Sequence, residues 1–151
     1  MALGAVLLSS LGCQGPSSSP DSSVKNFYAA AGWGQFSAMY EIVSQASKAR
    51  LGSAERGEAY FQNEFGEWKK FDVTIADWSA SADGQGATVR FTCRAEMLVN
   101  SKASQVDCSD TYSLVKEEDG KFHLTLPGAQ KYRQMERAHG NIRSARPDRS
   151  R

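Results

Sequence analysis

Metal chemistry has little to draw on in this sequence. Its 151 residues hold two histidines and three cysteines. No Cys-x-x-Cys pair is present, so the ligand spacing of a structural zinc site is missing. A dominant charge of one sign is missing as well: 18 Lys and Arg against 17 Asp and Glu leave a net charge of +1. A field of that size does not draw a whole molecule to nucleic acid. There is no glycine-rich phosphate loop and no nucleophile motif. The most apolar stretch, residues 5–11, is far short of the roughly 20 residues that span a bilayer. These absences exclude a metal centre, a bound cofactor and a nucleic-acid partner as expectations.

What is present describes an ordinary globular chain, 40% hydrophobic and 23% charged. Its length argues for one domain, and about 110 residues suffice to bury a core. The charge is unevenly placed. From Lys131 onward seven Lys and Arg face two Asp and Glu, a net of +5 that leaves the rest of the chain at −4.

Residues 1–12, MALGAVLLSSLG, carry no charge, and Ala5–Leu11 has the length of a signal-peptide apolar core. Leu11-Gly12-Cys13 resembles a bacterial lipobox, in which the cysteine takes the lipid. Residues 1–13 therefore read as a leader with Cys13 as the lipidation site, and an ordinary signal peptide is the alternative. Gln14 is not the Asp that resembles an inner-membrane retention signal, which favours the outer membrane where the host has one. Residues 14–21 lie in a Pro- and Ser-rich stretch and read as a flexible linker. The domain is expected over 22–132 and a basic, disordered tail over 133–151, solvated or touching anionic headgroups.

Periodicity then places the elements. Asp21 to Ser23 offer N-cap oxygens, and Val24, Phe27, Tyr28 and Ala31 form one helical stripe. Gly32 and Gly34 break it around Trp33. Phe36, Met39, Tyr40 and Val43 predict a second helix that fades by Leu51-Gly52. Ser53 caps a third, with Tyr60, Phe61, Phe65 and Trp68 on its aromatic face. From Phe71 the period becomes 2, predicting strands near Phe71–Ile75, Ala87–Val99, Gln105–Lys116 and Lys121–Leu126. Helices followed by strands predict an α+β fold: three N-terminal helices on one face of a four-stranded antiparallel sheet.

A two-residue loop at Asn100-Ser101 pairs Cys93 with Cys108, Arg94 with Asp107 and Val89 with Tyr112. A turn at Glu118-Asp119-Gly120 pairs Leu114 with Leu124. One face then carries Val89, Phe91, Cys93, Val106, Cys108, Tyr112, Leu114, Phe122, Leu124 and Leu126 toward the helices. The other, with Thr88, Arg90, Thr92, Arg94, Asp107, Ser109, Thr111, Ser113 and His123, is expected to meet water. A Cys93–Cys108 disulfide fits an exported protein; two reduced core cysteines are the alternative in a cytosolic one.

The run Val24-Lys25-Asn26-Phe27-Tyr28-Ala29-Ala30, then Trp33-Gly34-Gln35-Phe36, resembles the nuclear transport factor 2-like superfamily, as does Leu114–Phe122 at the end of the strands. Small bacterial lipoproteins of that group are similar. The resemblance covers about Ser22 to Leu126 and implies a curved, cone-like sheet with a pocket at its mouth. Asp110 falls on the core face opposite Phe91, and the resemblance implies a role as general base, since isomerases of that fold use a carboxylate for proton abstraction. Tyr112, Tyr28 or Tyr40 would supply an oxyanion donor. A solvated or ion-paired Asp110 is the competing reading.

Phe27, Trp33, Tyr40 and Phe91 are pocket candidates with Asp110 and Tyr112, from an aromatic set that also includes Phe36, Phe61, Phe65, Trp68 and Trp78. The same set equally describes plain core. The leading expectation is a non-enzymatic, lipid-anchored envelope protein that binds a small apolar ligand or a protein partner and pairs as a homodimer. A small isomerase, hydratase or lyase using Asp110, and a structural envelope subunit, are the alternatives.

Overall fold

The computed structural model describes residues 15–126. The leader with Cys13, and the tail from residue 127, lie outside the described residues. Four helices are followed by four strands: α1 (Pro20–Gly32), α2 (Phe36–Ile42), α3 (Gln45–Leu51), α4 (Ala54–Phe65), β1 (Trp68–Ala80), β2 (Gly86–Val99), β3 (Lys102–Lys116) and β4 (Phe122–Thr125). The sheet is antiparallel in the order β1-β2-β3-β4, with the α+β layout that the order of periods predicts.

α1 begins two residues earlier than its polar cluster suggests. Ser19 is the N-cap and Pro20 takes the first turn, where its missing N–H costs nothing. Val24, Phe27, Tyr28 and Ala31 are all buried, as the stripe requires. The predicted second helix is two helices. Val43 leaves α2 in extended conformation and bridges Leu124 in parallel, and Ser44 N donates to Leu124 O at 2.8 Å. Ser44 then caps α3 by accepting from Ser47 N at 3.3 Å. The stripe survives this break because Val43 is buried on either reading.

Trp68 is also re-placed. Gly66 ends α4, so Trp68 opens β1 opposite Met97 and packs in a second cluster with Ala95, Met97 and Val106. At the other side of the helical layer, Gly57 lets α4 approach α2. A Cβ there would lie 2.2 Å from Tyr40 Cδ2.

The β2–β3 register is the expected one: Cys93 faces Cys108, Arg94 faces Asp107, Val89 faces Tyr112 and Phe91 faces Asp110. The loop has φ of 51° at Asn100 and 63° at Ser101, both left-handed, as a type I′ turn requires. Asn tolerates that region, whereas Ser has no such advantage. Ser101→Gly is expected to stabilise the hairpin by about 0.5–1 kcal/mol net of glycine's unfolded-state entropy. A rise in the urea midpoint at unchanged slope checks this; a fall would mean that the hydroxyl matters more than φ.

Residues 15–21, read as a flexible linker, are stitched to the domain. Phe122 N donates to Ser17 O at 2.8 Å, Ser17 N donates to Ser23 Oγ at 2.9 Å, and Ser23 Oγ donates to Phe122 O at 2.8 Å. Asn26 Nδ2 donates to Gly15 O at 2.9 Å. Serine cannot build an apolar face, but its backbone can satisfy an open strand edge. Ser17 and Val43 together cover the outer edge of β4.

Candidate functional site

The core face of the sheet meets α1 and α4 through aromatic rings. Phe27 touches Tyr28, Phe61, Phe65 and Tyr112 edge-on, with centroids 5.4–6.2 Å apart. Phe91 stacks on Tyr112 at 5.8 Å, and Tyr28 tilts against Phe91 at 5.1 Å. Inside this apolar assembly sit two hydroxyls. Tyr28 and Tyr112 Oη are 3.2 Å apart and buried, and either can donate to the other. A buried phenol is retained where its oxygen finds a hydrogen-bond partner, and here one hydroxyl donates and the other accepts.

Asp110 shares this face by register, two residues before Tyr112 and opposite Phe91. Its Oδ1 accepts from Thr111 N at 2.7 Å, and its Oδ2 is shut off from solvent. The alternation of β3 puts Asp110 and Tyr112 on one side by register, but only Tyr112 is in the ring cluster; Asp110 borders a hollow of about 400 Å³ lined by Ala76, Arg90, Phe91, Thr92, Ser109 and Thr111.

The other pocket candidates are elsewhere. Trp33 follows α1 and is 68% exposed, outside the ring cluster. Tyr40 packs across Gly57, with Lys48 Nζ 5.3 Å above its ring, a cation–π contact. Trp78, from the wider aromatic set, is also exposed.

A second polar cluster escaped the sequence. His123 was expected in water, yet it is only 5% exposed. Alternation puts it on the far face correctly; what covers it is the β4 edge and the preceding turn. Its Nε2 lies 2.8 Å from Asp119 Oδ2, and its Nδ1 lies 3.3 Å from both Val43 O and Glu117 Oε1. Glu117 Oε2 accepts from Gln45 N at 3.0 Å, which ties the start of α3 to the β3–β4 turn. A cavity of about 830 Å³ opens beside them, bordered by Gln45, Gln85, Lys116, Glu117, Glu118 and Asp119. The spacing Asp119-x-x-x-His123 across a turn was the available signal. It gains meaning only once Val43 is known to close the edge.

Burial pushes the Asp119 carboxyl up, but the His123 hydrogen bond, the Lys121 N–H and the charges of both residues outweigh it and hold the carboxyl below its ordinary 3.8. A depressed carboxylate stabilises the fold fully above its unfolded pKa and loses that contribution as pH falls through the folded value. Asp119→Asn should therefore be less stable than wild type at pH 7, and the gap should narrow below pH 4. Paired thermal melts at pH 7 and pH 3 check it; a gap independent of pH would refute the linkage.

Cys93 and Cys108 form a disulfide between directly opposed residues, with Cα atoms 4.8 Å apart. This is compatible with export. No helix among the described residues is long and apolar enough to cross a membrane.

No protein-family model matches the sequence, and no curated protein matches it. Solved structures do match the fold. A ketosteroid isomerase-like protein from Erwinia carotovora atroseptica superposes with a TM-score of 0.55 at 9% identity, over 70% of this chain and 87% of that one. A protein of the nuclear transport factor 2-like family from Streptomyces avermitilis, named for a dehydratase, gives 0.51 at 14% identity over 69% and 86%. A nuclear transport factor 2-like superfamily protein from Salmonella enterica serovar Typhimurium gives 0.50 at 9% over 68% and 81%. The four helices and open four-stranded sheet of this chain thus have the nuclear transport factor 2-like fold.

Proposed function

We propose that this chain is an exported envelope lipoprotein, anchored through Cys13, whose domain binds a small apolar ligand or a partner protein without turning it over. One observation carries the reading: Asp110 lies by register on the core face, two residues from Tyr112 of the buried Tyr28–Tyr112 hydroxyl pair, and borders a hollow with Phe91. That arrangement suits an apolar ligand with one polar group to orient. The non-catalytic part rests on Asp110, whose Oδ1 is engaged by the neighbouring backbone N–H. The polar outer face of the sheet, with Arg94 bonded to Asp107 at 3.0 Å and Arg90 paired with Asp77, supports pairing of two copies.

The test is native mass spectrometry on mature protein purified from its own envelope. The expected result is an added mass beyond polypeptide and acyl chains that leaves on denaturation. A bare polypeptide across growth conditions would sink the ligand-binding reading and leave the partner-binding one.

A second reading is an isomerase, hydratase or lyase with Asp110 as base and a tyrosine as donor. It is favoured by the solvent-shielded Oδ2 and by the names of two fold neighbours. Asp110→Asn should then lower any turnover found by 10²-fold or more, since general-base catalysis contributes about 10²–10⁴. Unchanged turnover would remove Asp110 from the chemistry.

A further inference from the structure

The described residues begin at Gly15, two positions after Cys13. A chain advances at most about 3.6 Å per residue, so the Cα atoms of Cys13 and Gly15 are no more than about 7 Å apart. Gly15 is itself fixed, because its carbonyl accepts from Asn26 Nδ2 at 2.9 Å. Two residues on, Ser17 is held by Ser23 Oγ and by Phe122 N. An acyl chain on Cys13 therefore has almost no free tether. It brings the domain to the bilayer by the side of α1 that carries Asn26.

Residues three and four apart on a helix share a face. From Asn26 that row runs to Ala29 and then to Trp33, and Lys25 lies exposed beside it. Trp33 is the most exposed of the large apolar side chains described, at 68%. It stands seven residues from Asn26, about 10 Å along the axis. Ala29 adds no bulk between them. An indole belongs at the headgroup level of a membrane, where its ring is apolar and its N–H is wet. Lys25, exposed at the opposite end of this row, suits anionic lipid.

The geometry points to a membrane-apposed face, Lys25-Asn26-Ala29-Trp33, that rests on phospholipid headgroups with the Trp33 indole among them. This rests on the lipidation of Cys13 proposed above. It gives the exposed tryptophan a partner that the ring cluster does not, and fixes which way the candidate ligand site faces relative to the bilayer.

The experiment reconstitutes acylated full-length protein into phosphatidylethanolamine and phosphatidylglycerol vesicles that contain a brominated lipid. Tryptophan quenching is compared among wild type, Trp33→Phe, and a variant with ten Gly and Ser residues inserted between Gln14 and Gly15. The expected result is strong quenching in wild type, at least a twofold loss of it in Trp33→Phe, and a similar loss with the long tether while the protein still sediments with vesicles. Acylated protein whose quenching is the same in all three overturns the face and leaves the lipoprotein reading intact. Purified protein without acyl mass on Cys13 overturns that reading and the face with it.

Discussion

Truncating Phe27 to alanine is expected to cost about 3–5 kcal/mol, the range for removing a fully buried phenylalanine. The side chain is fully buried and touches four other rings edge-on. The loss combines apolar burial, an unfilled cavity and edge-to-face pairs worth about 0.5–1.5 kcal/mol each. Domains of this size are stable by about 5–15 kcal/mol, so the variant stands close to unfolding. Urea titration against wild type measures the effect, with the half-buried Phe36→Ala as a comparison of smaller expected loss. A change under 1 kcal/mol would mean that the cluster closes around the gap, and that Tyr28 and Tyr112 do not depend on Phe27 for their position.

Removing the cross-link is the second large effect. The Cys93–Cys108 bond closes a segment with a sequence separation of 15, worth about 3 kcal/mol in the chain-entropy model. The double variant Cys93→Ala, Cys108→Ala should melt roughly 12–24 °C lower, as each kcal/mol shifts a small domain by about 4–8 °C. Calorimetry with and without reductant separates the causes: reductant should lower the wild-type transition and leave the double variant unmoved. Two free thiols in mature protein would contradict the bond itself.

The strands were legible because several local signals agreed. Asn100-Ser101 fixed a tight turn, and one register satisfied the cysteine pair, the Arg94–Asp107 pair and the Val89–Tyr112 pair together. That register alone located Asp110 on the core face. The helices were less legible where tertiary contacts decide. Nothing local to Val43-Ser44 announces that the backbone there bridges Leu124, so α2 and α3 read as one helix. His123 shows the same gap: alternation gives its face, while its burial comes from residues some 80 positions earlier in the chain. Trp33 stands at the glycine break after the first helical stripe, and Tyr40 fits the second. One falls past the end of α1, and the other turns toward Gly57 instead of the sheet. The serine-rich start of the domain was read from composition, which reports packing ability and is blind to an open strand edge waiting for a partner.

That stitched start also sets an order of events. Ser23 Oγ bonds to a carbonyl 99 residues further along the chain, and Ser17 reaches the same residue, Phe122. Contacts of such sequence separation form late, because a long loop must close before they yield anything. The N-terminal end cannot find its place until the last strand has been made.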